Sequence, residues 1–184
     1  VRTGMQIDAS PVVHAPVLGD CAVCHDSHAT DNPSLLLEKA AALCTQCHRD
    51  IADTLGSATT QHGAITTKQA CIACHTPHAG THTSLLKREP RDLCFDCHDR
   101  PIPLPDGSKL QNMKALIDSG QSLHGALTQR GCVECHSIHG SDHRRLLNNE
   151  YPSELYYPFS ESSYALCFSC HDRQLVMLAN TSTA

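Results

Sequence analysis

The sequence predicts a mostly irregular chain with short α-helices and little or no β-sheet. Three observations predict it. All twelve cysteines fall into six copies of one word, Cys-x-x-Cys-His. There is no Trp, and aromatic residues make up only 4% of the chain, so the usual large core-fillers are scarce. The words also belong to a longer internal repeat, the signature of an architecture stacked from small units.

The six words are Cys21/Cys24/His25, Cys44/Cys47/His48, Cys71/Cys74/His75, Cys94/Cys97/His98, Cys132/Cys135/His136 and Cys167/Cys170/His171. Each has the form of a c-type haem attachment site. Both thiols add to the haem vinyls, and the i, i+3 spacing sets the sulfurs on one face of a helical turn. The His follows at i+4 and offers its imidazole to the iron as an axial ligand. A Cys-x-x-Cys pair alone also suits half of a zinc site or a redox dithiol. Zinc does not require a His directly after every second Cys, and a thioredoxin-like dithiol occurs once on a βαβ pattern. Six haems (haem C, iron) in 184 residues is roughly one per thirty residues. At that density the porphyrins supply the apolar bulk that the side chains lack, as metals do in small scaffolds.

The repeat divides the chain into three two-haem modules, 1–61, 62–123 and 124–184, within one continuous haem-chain domain. Cys21, Cys24, His28, Leu35, Leu36 and Cys44 recur as Cys71, Cys74, His78, Leu85, Leu86 and Cys94. The third copy runs Cys132, Cys135, His139, Leu146, Leu147. Its second word comes 35 residues after the first rather than 23, a twelve-residue insertion. Leu43, Leu93 and Leu166 each precede a second word. Between modules, residues 49–61 suit a short helix stopped near Gly56. The stretch Pro101 to Gly107 is rich in turn formers, and a helix over 112–119 follows with Asn112 as its cap. The insertion brings Tyr151, Pro152, Tyr156, Tyr157, Pro158, Phe159 and Tyr164 close together. It reads either as a loop packed over the nearest haem or as a contact surface.

Eight histidines stand outside the words. Six keep the repeat register: His14, His62 and His124 upstream of the modules, and His28, His78 and His139 three residues past the first proximal His. Six irons with two imidazoles each need that number. Met5, Met113 and Met177 do not follow the repeat. His28 shares a local turn with His25, so it is expected to reach a neighbouring haem. The expected pairing sets His28 opposite His48, His78 opposite His98 and His139 opposite His171. The upstream residues then stand opposite the first haems: His14 with His25, His62 with His75 and His124 with His136. His82 and His143 share a position held by Asn32 in the first module. They line haem propionates, replace a distal ligand, or reach iron in a neighbouring subunit.

The formal charge is −5, and haem propionates make the loaded chain more acidic. That argues against nucleic acid as a partner, which calls for a basic stripe. It suits a neutral or cationic redox partner protein, or an extracellular metal or mineral acceptor. The longest apolar run near an end, Leu175 to Ala179, is too short to span a bilayer. Since c-type haem is attached outside the cytoplasm, a signal peptide is expected to have been removed ahead of Val1. Without a Cys at that position, no lipid anchor is expected there.

From 14 to 171 the chain resembles the doubled-CxxCH multihaem cytochromes: paired words, with His-x-x after the first and Leu-Cys before the second. The insertion before Cys167 departs from that pattern. The resemblance implies haems in alternating stacked and T-shaped contacts. It also implies periplasmic electron transfer, a porin-conduit subunit, or an extracellular cytochrome filament. The expected function is long-range electron transfer through closely packed bis-histidine haems, with no catalytic residue. It is expected in extracellular respiration, in a filament joined head to tail through haem-to-haem end contacts, or as a periplasmic shuttle. The competing class is a multihaem oxidoreductase, which needs an iron with an open position. No word here carries Lys in place of its His, a variant found in one such enzyme family.

Overall fold

The computed structural model describes residues 10–104, 106–129 and 131–177. Val1, Met5 and the end of the apolar run at 178–179 lie outside the described residues. The chain divides into two compact units, one of Val1–Arg49 with Gly63–Cys132 and one of Asp50–His62 with Val133–Ala184. The modules are units of repeat, and these are units of packing.

As expected, regular structure is sparse: short helices, 3-10 turns, and strands of two residues each. In the first unit, β1 (Val12–Val13) pairs antiparallel with β3 (Ala79–Gly80). Helix α1 (Ala40–Thr45) leads into the second word and packs on the 3-10 turn Ala70–Ala73 that carries the third. Helix α3 (Pro90–His98) starts on a proline at its first turn, where the missing N–H costs nothing. It packs on α4 (Met113–Ser119), with Arg91 and Lys114 both over the Phe95 ring at 5.6 and 5.9 Å. The Asn112 side chain accepts a hydrogen bond from the Ala115 N–H at 2.8 Å, as the sequence predicts for the cap. Between α3 and α4 a hairpin joins β4 (Ile102–Pro103) to β5 (Lys109–Leu110). Its turn uses Gly107 at φ 83°, which a residue with a Cβ adopts only at a cost. Helix α5 (Gly125–Gln129) follows His124.

In the second unit, α2 (Arg49–Ser57) forms where a short helix is predicted, running one residue past Gly56. Strand β2 (Thr60–Gln61) pairs antiparallel with β6 (Gly140–Ser141). Gly140 is required there, because a Cβ would lie 2.8 Å from the Ala58 Cβ. Asp142 accepts hydrogen bonds from the Thr59 N–H and hydroxyl, both at 2.8 Å. Helices α6 (Ala165–Phe168) and α7 (Gln174–Met177) end the described chain. The insertion has no helix or strand. Phe159 packs on Tyr164 and Phe168 at 5.7 and 6.3 Å, whereas Leu155 and Tyr156 are 91% and 90% exposed.

Among the described residues, the buried apolar side chains are Ala70, Ile117, Leu147 and Pro152. Val23, Ile72 and Val133, each inside a word, are exposed. Polypeptide packing alone provides almost no core, so the words carry their apolar side chains on surfaces made to be covered.

Candidate metal centres

The three first words share one local structure. In each, the first cysteine sits in a 3-10 turn and the second directly follows it: Cys21–Val23, Ala70–Ala73 and Cys132–Glu134. The chain then folds back, and the Leu-Leu pair zips against the word. The Asp26, Thr76 and Ser137 N–H groups donate to the Leu35, Leu85 and Leu146 carbonyls at 2.9, 2.7 and 2.8 Å. The Leu37, Lys87 and Asn148 N–H groups donate to the Cys24, Cys74 and Cys135 carbonyls at 2.9, 3.0 and 2.8 Å. To make this return, two successive residues adopt left-handed φ: Ser34 and Leu35, Ser84 and Leu85, Arg145 and Leu146.

The return delivers a backbone carbonyl to each proximal imidazole. His25 Nδ1 donates to the Ser34 carbonyl at 2.9 Å, His75 Nδ1 to Ser84 at 2.8 Å, and His136 Nδ1 to Arg145 at 3.0 Å. A carbonyl only accepts, so Nδ1 holds the proton and Nε2 keeps its lone pair for a metal. Such a partner also fixes the ring and raises its basicity. These carbonyls escape sequence reasoning because any residue type supplies one. The Leu-Leu repeat is the signal that marks the return.

The second words sit at helix ends instead. Cys44 lies in α1, Cys94, Cys97 and His98 in α3, and Cys167 in α6. The His48 and His171 N–H groups donate to the Cys44 and Cys167 carbonyls at 3.1 and 2.9 Å. That i, i+4 bond holds the proximal His one turn beyond the first thiol of each word.

Cys170 departs from the helical turn expected for both thiols of a word. It lies beyond the end of α6, as Cys47 lies beyond α1, and both are exposed. The reason is the way α6 ends. The Cys170 N–H donates to the Cys167 carbonyl at 3.2 Å, a 3-10 closure that tightens the last turn. The Ser169 hydroxyl donates to the Leu166 carbonyl at 2.7 Å and lies 3.8 Å from the Cys170 Sγ. Helix and turn therefore present Cys167 half-buried and Cys170 on the open side of the word.

The distal histidines differ from the expected pairing. The His14 ring faces His48 with centroids 6.0 Å apart and planes at 13°. His78 faces His25 at 5.9 Å and 27°. His14 therefore does not stand opposite His25, nor His28 opposite His48. The cause is the β1–β3 pairing, in which the His14 N–H donates to the His78 carbonyl at 2.9 Å. His14 Nδ1 donates to the Pro77 carbonyl at 2.9 Å. This strand lays the upstream His of one module beside the downstream His of the next, and each ring faces a proximal His of the first of those modules. The same backbone arrangement recurs in the second unit, where the His62 N–H donates to the His139 carbonyl at 3.3 Å beside β2–β6. Burial, then His25 and His14, holds the His78 pKa below the usual imidazole value.

These ring pairs fit a haem iron. An imidazole nitrogen lies about 2 Å from a first-row metal, so two on opposite faces place their ring centroids about 6 Å apart. No group of three or more His, Cys, Asp or Glu converges on a metal position among the described residues. Donors in twos suit a ligand that brings its own four equatorial nitrogens, and they do not suit tetrahedral zinc. The doubled CXXCH motif matches the chain three times, at residues 14–53, 62–102 and 124–175. The chain belongs to the doubled CXXCH family of multihaem c-type cytochromes. No curated protein matches it.

Membership settles the coarse chemistry. The cytochrome carries c-type haem on its paired words, its function is electron transfer, and it works outside the cytoplasm. No helix among the described residues is long and apolar enough to cross a membrane. Thiols of successive modules of the cytochrome meet: Cys44 hydrogen-bonds Cys71, and Cys94 hydrogen-bonds Cys132. Before attachment, the shared bond raises the Cys44 and Cys94 pKa values and lowers those of Cys71 and Cys132 to about 6. Burial raises that of Cys74. The second word of one module therefore lies beside the first word of the next.

His82 and His143 each bind a carboxylate of the cytochrome through Nδ1: Glu89 at 3.1 Å and Glu150 at 3.1 Å. The first module replaces this pair with Asn32 and Lys39, and Asn32 donates to the Leu36 carbonyl at 3.1 Å instead. The position braces the return loop in all three modules. His136 opens on a cavity of about 250 Å³ lined by Arg144, Arg145, Leu147, Tyr151 and Leu166. Apolar walls with two guanidinium groups suit a macrocycle edged with carboxylates.

Proposed function

We propose that the chain is a hexahaem electron conductor with two imidazoles on every iron. In this reading it serves extracellular respiration as the protomer of a cytochrome filament. It passes electrons to a partner protein or to a metal or mineral acceptor. The observation that carries the reading is the pair of facing rings, His14 with His48 and His25 with His78. Two protein ligands leave no position on such an iron for a substrate, which favours a carrier over an oxidoreductase. When bound, each haem supplies a one-electron ferric/ferrous couple.

The chain's residues do the rest. The twelve cysteines, from Cys21 to Cys170, anchor the macrocycles covalently, so a thin polypeptide keeps them despite its small core. His25, His48, His75, His98, His136 and His171 are the proximal ligands. His14, His28, His62, His78, His124 and His139 are the distal set. The Ser34, Ser84 and Arg145 carbonyls hold three proximal rings in one tautomer. Ligand type, burial and nearby charge then set each potential. A periplasmic shuttle or porin-conduit subunit uses the same ligands and differs only in assembly.

Intact mass and pyridine haemochrome absorbance count the haems per chain, and electron paramagnetic resonance reports their spin state. The reading expects six haems by the word count, and low-spin ferric signals from all of them in the assembled protein. Fewer covalent haems, or a stable high-spin signal in the assembled protein, contradicts it. Electron microscopy separates fibres from discrete shuttle particles.

A further inference from the structure

The ligand pairing has a direction, and that direction leaves one ligand and one iron over. His14, upstream of the first module, faces the second proximal His of its own module. His78, downstream in the second module, faces the first proximal His of the module before it. Applied along the repeat, the rule gives the downstream His of the first module no earlier module to serve. It also gives the first haem of the last module, on Cys132, Cys135 and His136, no later module to serve it.

Both ends look as the rule requires. The His28 side chain is 94% exposed, while His78 is half-buried. Among the described residues, the His28 ring's polar contacts are to its own turn, through Nδ1: Ser27 Oγ at 3.3 Å and Asp26 Oδ1 at 3.7 Å. Neither contact involves Nε2. His136 makes its Nδ1 bond to Arg145, and no histidine ring is paired with it among the described residues. The backbone repeats the pattern. The residues after His78 and His139 form β3 and β6, paired with the residues ahead of His14 and His62. Ala29–Thr30, after His28, and Ser122–Leu123, ahead of His124, have no strand partner among the described residues. One spare ligand with one spare strand edge therefore matches one open iron with one spare strand edge.

We propose that His28 is the distal ligand of the His136 haem in the next copy of the chain, with Ala29–Thr30 adding as a strand to Ser122–Leu123 of that copy. The occupant is a second copy because every chain carries both halves and each half is what the other lacks. Such a heterologous contact propagates unless it closes into a ring. The backbone strand supplies affinity in the manner of strand addition to an open edge. This rests on the filament reading and adds to it the bond that joins protomers.

The test uses the haem-loaded protein in three forms, wild type, His28→Ala and His143→Ala. Each is read by electron microscopy, by spin state, and by carbon monoxide binding to the ferrous protein. Wild type should form fibres with all haems low-spin. His28→Ala should give discrete particles, with about one carbon monoxide bound per chain at the one open iron. Added imidazole should return that iron to low spin without restoring fibres. His143→Ala should lose the brace to Glu150 and some stability, yet keep fibres and every haem low-spin. Fibres of His28→Ala with every haem low-spin would overturn the inference and leave the filament reading standing. An open iron created by His143→Ala instead would overturn the inference as well. Wild-type protein found only as discrete particles would sink both.

Discussion

The residues that pay most for this fold are those at the return of each first word. Ser34, Ser84 and Arg145 sit at φ of 60°, 53° and 54°, in the left-handed region that costs a Cβ-bearing residue about 1–2 kcal/mol. Their carbonyls must point at the proximal imidazoles, and this conformation aims them. Ser84→Gly should therefore stabilise the haem-loaded protein by about 1 kcal/mol, read as a higher denaturation midpoint. Ser84→Val should lower that midpoint, since a β-branched residue resists positive φ. Asp142 offers a second test. Hydrogen bonds from the Thr59 N–H and then its hydroxyl hold its pKa below the usual 3.8. A depressed carboxyl contributes stability that is complete above its unfolded value and is lost as pH falls through the lowered folded value. Asp142→Asn should flatten the acid limb of stability below about pH 4 while changing little at neutral pH. A pH profile of unfolding identical to wild type would disprove that role.

At the scale of elements, the two-residue strands decide which proximal ring a flanking histidine faces. Strand β1 carries His14 to His48 because β1 pairs with β3, beside His78. His14→Ala should open the haem on Cys44 and Cys47. His78→Ala should open the one on Cys21 and Cys24. Each variant should gain about one high-spin iron per chain, with a distinct shift in potential. The words, the Leu-Leu pair and the Asn112 cap were legible in the sequence because local spacing encodes them. The α2 helix was legible for the same reason. Where a helix stops inside a word, as α6 does before Cys170, was not, because helix ends are set by one or two hydrogen bonds that spacing does not encode. The ligand pairing escaped as well, since it depends on contacts between residues some sixty positions apart, such as His14 with Pro77. Two-residue strands such as Val12–Val13 carry no periodicity to betray them. The insertion was half legible. Phe159 packs on its own loop as an aromatic cluster does, while Leu155 and Tyr156 project into solvent.

For the molecule as a whole, the module repeat and the scarcity of aromatics foretold a chain with cofactors in place of a core. Few apolar side chains are buried among those described, Ala70, Ile117, Leu147 and Pro152, and each first word presents an exposed Val or Ile. Loss of the haems should therefore unfold the protein, with far-ultraviolet circular dichroism falling toward that of a coil in apoprotein made without attachment. Apoprotein that kept the holoprotein spectrum would show that the polypeptide folds unaided. What the repeat could not reveal was its direction, with the downstream His78 of the second module facing His25 of the first. That direction is the centre of this account, because the proposed ligand pairs within the chain and the proposed bond between chains both rest on it. The most direct measurement is a high-resolution density map of the haem-loaded protein that resolves each iron with its two axial nitrogens. The account predicts His14 and His48 on one iron, and His25 and His78 on another. An iron held by His14 with His25, or by His28 with His48 of the same chain, would contradict it.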